Sequence, residues 1–361
     1  MAERSFHPLQ GEINHVILWF PNWIGDVVLV LPTVESLRRK FPNVRITAVA
    51  GFPSDEILQA YPQIDTVLRL PGSRGSGGLE QIRFAYGLRK YQADLGAVFS
   101  NSLRSAFLLY LTGTRHRLGY STDGRGAFLT HPLPATYRER HTQYRVDYYF
   151  NILSGLGLEP PEMKFSPLDT LEGDATPRDL RLQMGLGPNE FFITLHPGTS
   201  KPERSWHADR YGILCQKIVK EHKIKIALLG SDKEKDLLAQ VRRFVPAEWV
   251  ADVPEMNLRG VAALLRMSGL FIGNDSGMMH LAAMMGTSVV GVFGPGSPET
   301  TGPFIEKEKR EMVTRHYPCS PCRQRFFKEC KPSLHHKPFC LEDISVKEVS
   351  EAVGRLLRRL R

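Results

Sequence analysis

The sequence predicts an α/β protein made of two parallel-sheet domains, and three observations carry that expectation. Short apolar strands alternate with helix-length segments through both halves of the chain. A stretch rich in Pro, Gly and acids, 160–189, separates the halves, and in the second half the unusual polar residues fall just past strand ends. A length of 361 residues suits two cores of ordinary size.

In the first half, VILWF (16–20) is a strand, PNWIGD is a turn, and 27–40 reads as a helix before RITAV (45–49) resumes as strand. This is a βαβ unit. DTVLRL (65–70), LGAVFS (95–100) and the amphipathic segment 103–111 continue the alternation. In the second half FFITLHPG (191–198) is strand then turn, 211–221 is helical, and IKIALLGS (224–231) is again strand then turn. Residues 236–244 and NLRGVAALLRMS (257–268) follow as helices, GLFIGND (269–275) as strand and turn, and GMMHLAAMMGTSVVGVF as helix and strand. The expected division is 1–175, 176–345 and a terminal helix over 346–361. Two such halves bind ligands at the carboxyl ends of their strands, in the cleft between them.

Hydrophobic residues make up 42% and charged residues 24%, a globular composition. The longest aliphatic run, 27–31, is too short to span a bilayer, and the N-terminal residues lack the apolar core of an export signal, so a cytoplasmic protein is expected. The net charge of +9 is unevenly placed: Arg69 to Arg145 holds twelve Lys or Arg and four acids, against 47 and 38 in the whole chain. An anionic partner for the first half is one reading, and a solvated surface with scattered Arg is the other. The fingerprints GxGxxG and GxxxxGK[ST] are absent, which lowers the standing of dehydrogenases and P-loop NTPases.

The strand-end residues carry the chemistry. Asp275 or Ser276 can cap the helix that begins at Gly277, and Gly277 lets a ligand approach the backbone N–H groups. A helix N-terminus holds about half a positive charge and unpaired donors, which suits a phosphate oxygen, and His280 lies one turn further on the same face. A capped helix with a core His is the plainer alternative. HPGTSKPERSW brings hydroxyls, Lys201, Arg204 and an aromatic to a second strand end, and the pair of motifs favours a nucleotide diphosphate.

PNWIGDVVLVLP, HPGTSKPERSW, GNDSGMMHLAAMMGTSVVGVFGP and CSPC with a following DIS resemble the bacterial ADP-heptose:lipopolysaccharide heptosyltransferases, which are family 9 glycosyltransferases, and most of all their heptosyltransferase II branch. The likeness runs from about Val16 to the end of the chain. It implies a GT-B fold, two Rossmann-like domains with parallel sheets facing across a cleft. It also implies an inverting transfer of L-glycero-D-manno-heptose from ADP-heptose to the lipopolysaccharide inner core, on Kdo2-lipid A already bearing a heptose, without a required cofactor. Heptosyltransferase I, or another sugar donor or acceptor, is the alternative within the family.

By motif match Asp26 is the base that deprotonates the acceptor hydroxyl, although an Asp there can also simply cap a helix. Thr199, Ser200, Asp275, Ser276, Gly277 and His280 fall on the donor side. The family often has Lys two residues before the Trp; Arg204 stands there and Lys201 three residues earlier, so both are candidates for the phosphate cation. Asp232 or Glu234 is matched to the ribose and Met256 to the adenine side. Asn22, Trp23 and Gly25 flank the acceptor, with Arg104, Arg115 and Arg117 for its phosphates and carboxylates.

Cys319, Cys322, Cys330 and Cys340 lie close together in sequence, with His316, His335 and His336 nearby. A structural zinc, reduced thiols and a reversible disulfide all fit the spacing, which lacks the second CxxC of a strong zinc signature. The terminal helix carries Val346, Val349, Val353, Leu357 and Leu360 on one stripe, and is expected to pack on the first domain or touch the inner face of the cytoplasmic membrane. Nucleic acid is not an expected partner: the basic excess lies away from the cysteines and lacks aromatic interleaving.

Overall fold

A computed structural model describes residues 11–72, 77–170, 176–319, 322 and 324–360. The chain forms two compact units that divide between Asp169 and Thr170. Each contains one six-stranded sheet, and every strand pair is parallel.

The first sheet uses β1 (His15–Trp19), β2 (Arg45–Ala50), β3 (Thr66–Arg69), β4 (Leu95–Val98), β5 (His116–Tyr120) and β6 (His131–Leu133) in the order 3-2-1-4-5-6. The second uses β7 (Phe192–His196), β8 (Lys225–Leu228), β9 (Val250–Ala251), β10 (Leu270–Asn274), β11 (Ser288–Phe293) and β12 (Arg310–Thr314) in the order 12-11-10-7-8-9. Counted from its own first strand, the second sheet has the same order as the first. Both are therefore Rossmann sheets, whose order reverses beside the first strand and opens a crevice at the strand carboxyl ends.

Central strands β1, β7 and β10 are buried along their whole length, as strands covered on both faces must be. The helix that follows β1 starts at Ile24, three residues earlier than its apolar pattern implies, and runs to Lys40. Asp26 in its first turn and Arg38, Arg39 and Lys40 in its last complement the helix dipole. Four strands escape the sequence reading. Residues 116–120 and 131–133 carry His, Arg and Pro, β9 has two residues, and β12 is half-exposed with charged residues, so none shows an apolar run.

The terminal helix Val346–Arg359 begins at a capping box between Ser345 and Glu348. Its buried residues Val349, Ala352, Val353, Leu356 and Leu357 join Ile193, Leu195, Trp206 and Tyr211 in the second unit's core. The expected return to the first domain is thus corrected: the stripe from Val346 to Leu357 packs in the second unit's core, and Leu360 at its end is exposed. Arg355 and Arg359 hold the two oxygens of Glu311 on β12 at 2.8 and 2.7 Å, which ties the helix to that strand. Among the described residues no helix is long and apolar enough to cross one.

Truncating Leu356 to Ala removes a fully buried side chain from that seam. The expected loss is about 2–5 kcal/mol, read from the denaturant midpoint of the second unit.

Candidate active site

In the first unit the chain leaves β1 at Trp19, turns through Pro21 to Trp23, and enters the helix with Trp23 at the N-cap position and no side-chain cap bond. Asp26 is therefore a first-turn residue rather than the cap, half-buried at the carboxyl edge of the sheet. Tyr149 donates its hydroxyl to Asp26 Oδ1 at 2.9 Å. Burial, and then the Asp26 charge, push that phenol well above its ordinary range, which leaves it a committed donor. Its ring meets Phe99 edge-on at 6.1 Å, and Phe99 packs on Phe20. The donor is thus held by the same core that ends β1. Nothing local in the sequence marks Tyr149, because the two partners are 123 residues apart.

Asn22 and Trp23 are exposed beside Asp26, and Gly25 is half-buried. Arg104 is exposed in the first turn of helix Leu103–Leu111, past the carboxyl end of β4 and hence on the same edge. The loop before it is fixed by Arg125, which is fully buried and donates to Ser100 O, Tyr120 O and, at 2.6 Å, Asn101 Oδ1. The other two expected acceptor cations are not brought to this edge. Arg115 precedes β5, at the opposite end of the sheet, and its N–H bonds Ala93 O. The Arg117 guanidinium donates to Phe128 O at 2.8 Å and Thr114 O at 2.7 Å, over the Tyr110 ring. The strand that holds Arg117 has no apolar run to show it in the sequence.

In the second unit Asn274 ends β10 and is completely buried. Its Oδ1 accepts from Trp206 N at 2.8 Å and Tyr211 Oη at 2.9 Å, and its Nδ2 donates to Pro197 O at 2.8 Å. One amide thereby joins the loop after β7 to the end of β10. Asp275 is committed as well. It takes Arg204 Nη2 at 2.7 Å on Oδ2, with a further bond to its carbonyl, so it orients the cation.

What remains unsatisfied is informative. Ser276 is the N-cap of helix Gly277–Met284, yet its side chain makes no cap bond. Ser276 Oγ, His280 Nδ1 and Arg204 Nε are buried polar atoms with no hydrogen-bond partner among the described residues. Burial, and then the Arg204 charge, push His280 down to about 3, so at neutral pH it is an uncharged imidazole able to donate one hydrogen bond. Orphaned buried donors are costly, about 1–3 kcal/mol each, and a ligand oxygen is the natural partner at a helix N-terminus.

Around this centre lie the remaining candidates. Thr199 Oγ1 donates to Lys201 O at 2.5 Å and shapes the turn, Ser200 is exposed, and Lys201 is exposed with its ammonium 5.7 Å from the Phe326 ring. Glu234 Oε1 lies 3.6 Å from His196 Nε2, while its Oε2 accepts from Ser231 N and Oγ. Burial opposes ionisation of Glu234, but His196 and Ser231 outweigh it and bring the carboxyl down to about 2. Gly198 makes this possible, since a Cβ there would overlap Glu234 Oε1. Asp232 is exposed and paired with Lys235 at 2.9 Å. Met256 is half-buried in the loop after β9, against the core around Leu264. All of these follow the carboxyl ends of β7, β8, β9 and β10.

Cys319, Cys322, Cys330 and Cys340 are free thiols. Gln324 N–H donates to Cys322 Sγ at 3.1 Å, and burial, then the neighbouring cysteines, raise Cys340 to about 12. Among the described residues no group of three or more His, Cys, Asp or Glu is arranged to hold a metal ion. The segment is anchored by Glu342, which takes Arg210 and Ser333, each at 2.8 Å, and faces His207 at 3.0 Å.

Residues 81–331 match glycosyltransferase family 9 (heptosyltransferase). The chain belongs to this family. It is a glycosyltransferase with the GT-B pair of Rossmann units. It is similar to the lipooligosaccharide heptosyltransferase 2 of Haemophilus influenzae, 25% identical over 305 residues, covering 81% of this chain and 87% of that one. Among solved structures it resembles Escherichia coli ADP-heptose LPS heptosyltransferase II, with TM-score 0.77 and 20% identity over 96% of this chain and 100% of that one. A family 9 glycosyl transferase from Veillonella parvula gives TM-score 0.79 and 22% identity, over 98% and 99%.

Asn274→Ala leaves Trp206 N, Tyr211 Oη and Pro197 O without their shared partner. The expected cost is about 2–4 kcal/mol in urea unfolding of the second unit.

Proposed function

We propose that this glycosyltransferase moves L-glycero-D-manno-heptose from ADP-heptose to the lipopolysaccharide inner core, with inversion, as a heptosyltransferase of the II type. The observation that carries the reading is the orphaned set Ser276 Oγ, His280 Nδ1 and Arg204 Nε, gathered at a helix N-terminus that no side chain caps. A diphosphate supplies the acceptor oxygens this set lacks.

The acceptor hydroxyl gives its proton to Asp26 as its oxygen attacks C1 of the heptose from the side opposite ADP. The C1–O bond to the β-phosphate breaks, and its electron pair leaves on ADP. Arg204, Ser276, His280 and the N–H groups from Gly277 onward receive that charge, in the manner of a preformed oxyanion site. Of the two cations, Arg204 suits this place better, because Asp275 fixes it, whereas Lys201 stands at the rim. Thr199 and Ser200 line the phosphate loop, Glu234 or Asp232 takes the ribose and Met256 the adenine side. Asn22, Trp23, Gly25 and Arg104 attend the acceptor. Tyr149 holds Asp26 in place, and its hydrogen bond favours the ionised carboxylate.

A cation and a helix terminus supply the charge that a metal provides in other transferases, so the chemistry needs no metal. The protein works in the cytoplasm, peripheral to the inner face of the membrane that carries its acceptor. The II type is favoured by relatives such as the Haemophilus influenzae enzyme, whose name carries the number 2.

Asp26→Ala is expected to lower kcat by about 10²–10⁴-fold while ADP still binds by calorimetry. Near-normal turnover in that variant removes Asp26 from the role of base. Supplied with ADP-heptose and Kdo2-lipid A bearing no heptose or one, the enzyme is expected to extend only the second acceptor, with EDTA leaving the rate unchanged. Product from the first acceptor alone assigns the I type, and product from neither overturns the donor or acceptor.

A further inference from the structure

Helix Gly78–Gly87 in the first unit has two apolar faces where one would suffice. Gln81 and Ala85 are buried in it, and Ala85, Phe84 and the following Leu88 pack in the first core. Turned away from that core are Leu79, Ile82, Arg83 and Tyr86, at spacings of three, four and seven residues from Leu79, which place them on one continuous stripe. Leu79 is 74% exposed, Ile82 38% and Tyr86 58%. A helix side that meets only water carries polar residues, and a run of large apolar groups there marks a surface that is covered in use.

The charges say what covers it. Arg83 lies within the stripe and is exposed, as are Arg89 and Lys90 just beyond the helix. The Arg89 guanidinium sits 4.4 Å from the Tyr86 ring centre and donates from Nε to Leu111 O at 3.1 Å, so a cation is fixed beside the stripe. Glu80 is the only acid between Asp65 and Asp94, and it occupies the first turn, where it complements the helix dipole. A second copy docking by this face would set Arg83, Arg89 and Lys90 against their own counterparts, like charge to like. An anionic lipid surface neutralises the same three cations while taking the apolar stripe into its headgroup boundary.

We propose that the Leu79, Ile82, Arg83 and Tyr86 face of this helix, with Arg89 and Lys90, is the surface by which the first unit rests on an anionic bilayer. The proposal rests on the reading of a lipid-borne acceptor and names the part of the chain that meets the lipid. It moves the membrane contact from the terminal helix, whose stripe packs in the second unit's core as far as Leu357, to the unit that holds Asp26.

The test is cosedimentation of the full chain with vesicles of phosphatidylglycerol and phosphatidylcholine, or of phosphatidylcholine alone, with neither donor nor acceptor present. The wild type is expected to pellet with the anionic vesicles and to be released as salt is raised. Leu79→Ser, Ile82→Ser and Tyr86→Ser together should weaken binding by about tenfold or more, and Arg83→Gln and Lys90→Gln by about fivefold each. Should the triple variant melt below the wild type, Leu79→Ser alone keeps the comparison readable. A wild type that ignores anionic vesicles, or a triple variant that binds them as well as the wild type does, overturns the proposal. A triple variant that instead turns a dimer into a monomer in ultracentrifugation overturns it in favour of self-association. No sugar moves in this assay, so the surface and the transfer reading can fail independently.

Discussion

The side-chain amide of Asn274 is the constraint on which the second unit's site depends. Two of its bonds reach the ends of one loop, at Pro197 and Trp206, and the third reaches Tyr211 at the start of the next helix. Without it the loop after β7 and the helix that begins at Gly277 are separate features of separate strands. With it, Arg204 is delivered to Asp275, and the positions of Ser276 and His280 follow from the end of β10. An amide suits the task because it accepts twice and donates at a completely buried point, where any missing bond would carry its full desolvation penalty.

The first unit solves the parallel problem with aromatic rings. Asp26 lies in the first turn of a helix, and the group that orients it comes from the far end of the unit on Tyr149. Phe20, Phe99 and Tyr149 form a chain of ring contacts from the residue just past β1 to the hydroxyl that touches the carboxylate. The carboxylate is thus referenced to the sheet through packing as well as through its own backbone.

These differences explain what could be read from the chain. The α/β class, the parallel sheets and the mouth at the strand carboxyl ends follow from local apolar runs and from the residues just beyond them, so GNDSG and HPGTS stand out as written. Their roles do not. Asn274 and Asp275 have the same polar look as Ser276, but the first two are braces, and only their distant partners reveal it. HRLGY has too little apolar character to announce a strand, so nothing in the pattern set Arg115 and Arg117 apart from Arg104, and Arg125 is held by carbonyls and an amide that only the fold brings to it. The terminal helix showed its stripe plainly, yet a stripe specifies only that something covers it, and the cover proved to be the second sheet.

Gly198 and Gly296 stand against the two carboxylates of this centre. A Cβ on the first would overlap Glu234 and one on the second would overlap Asp275. Two residues without side chains, let alone charge, therefore decide where both negative charges reside, and through Asp275 where the guanidinium points. The electrostatic pattern of the site is moulded by absent volume, so a single added methyl group at either position would push the neighbouring carboxylate off its place.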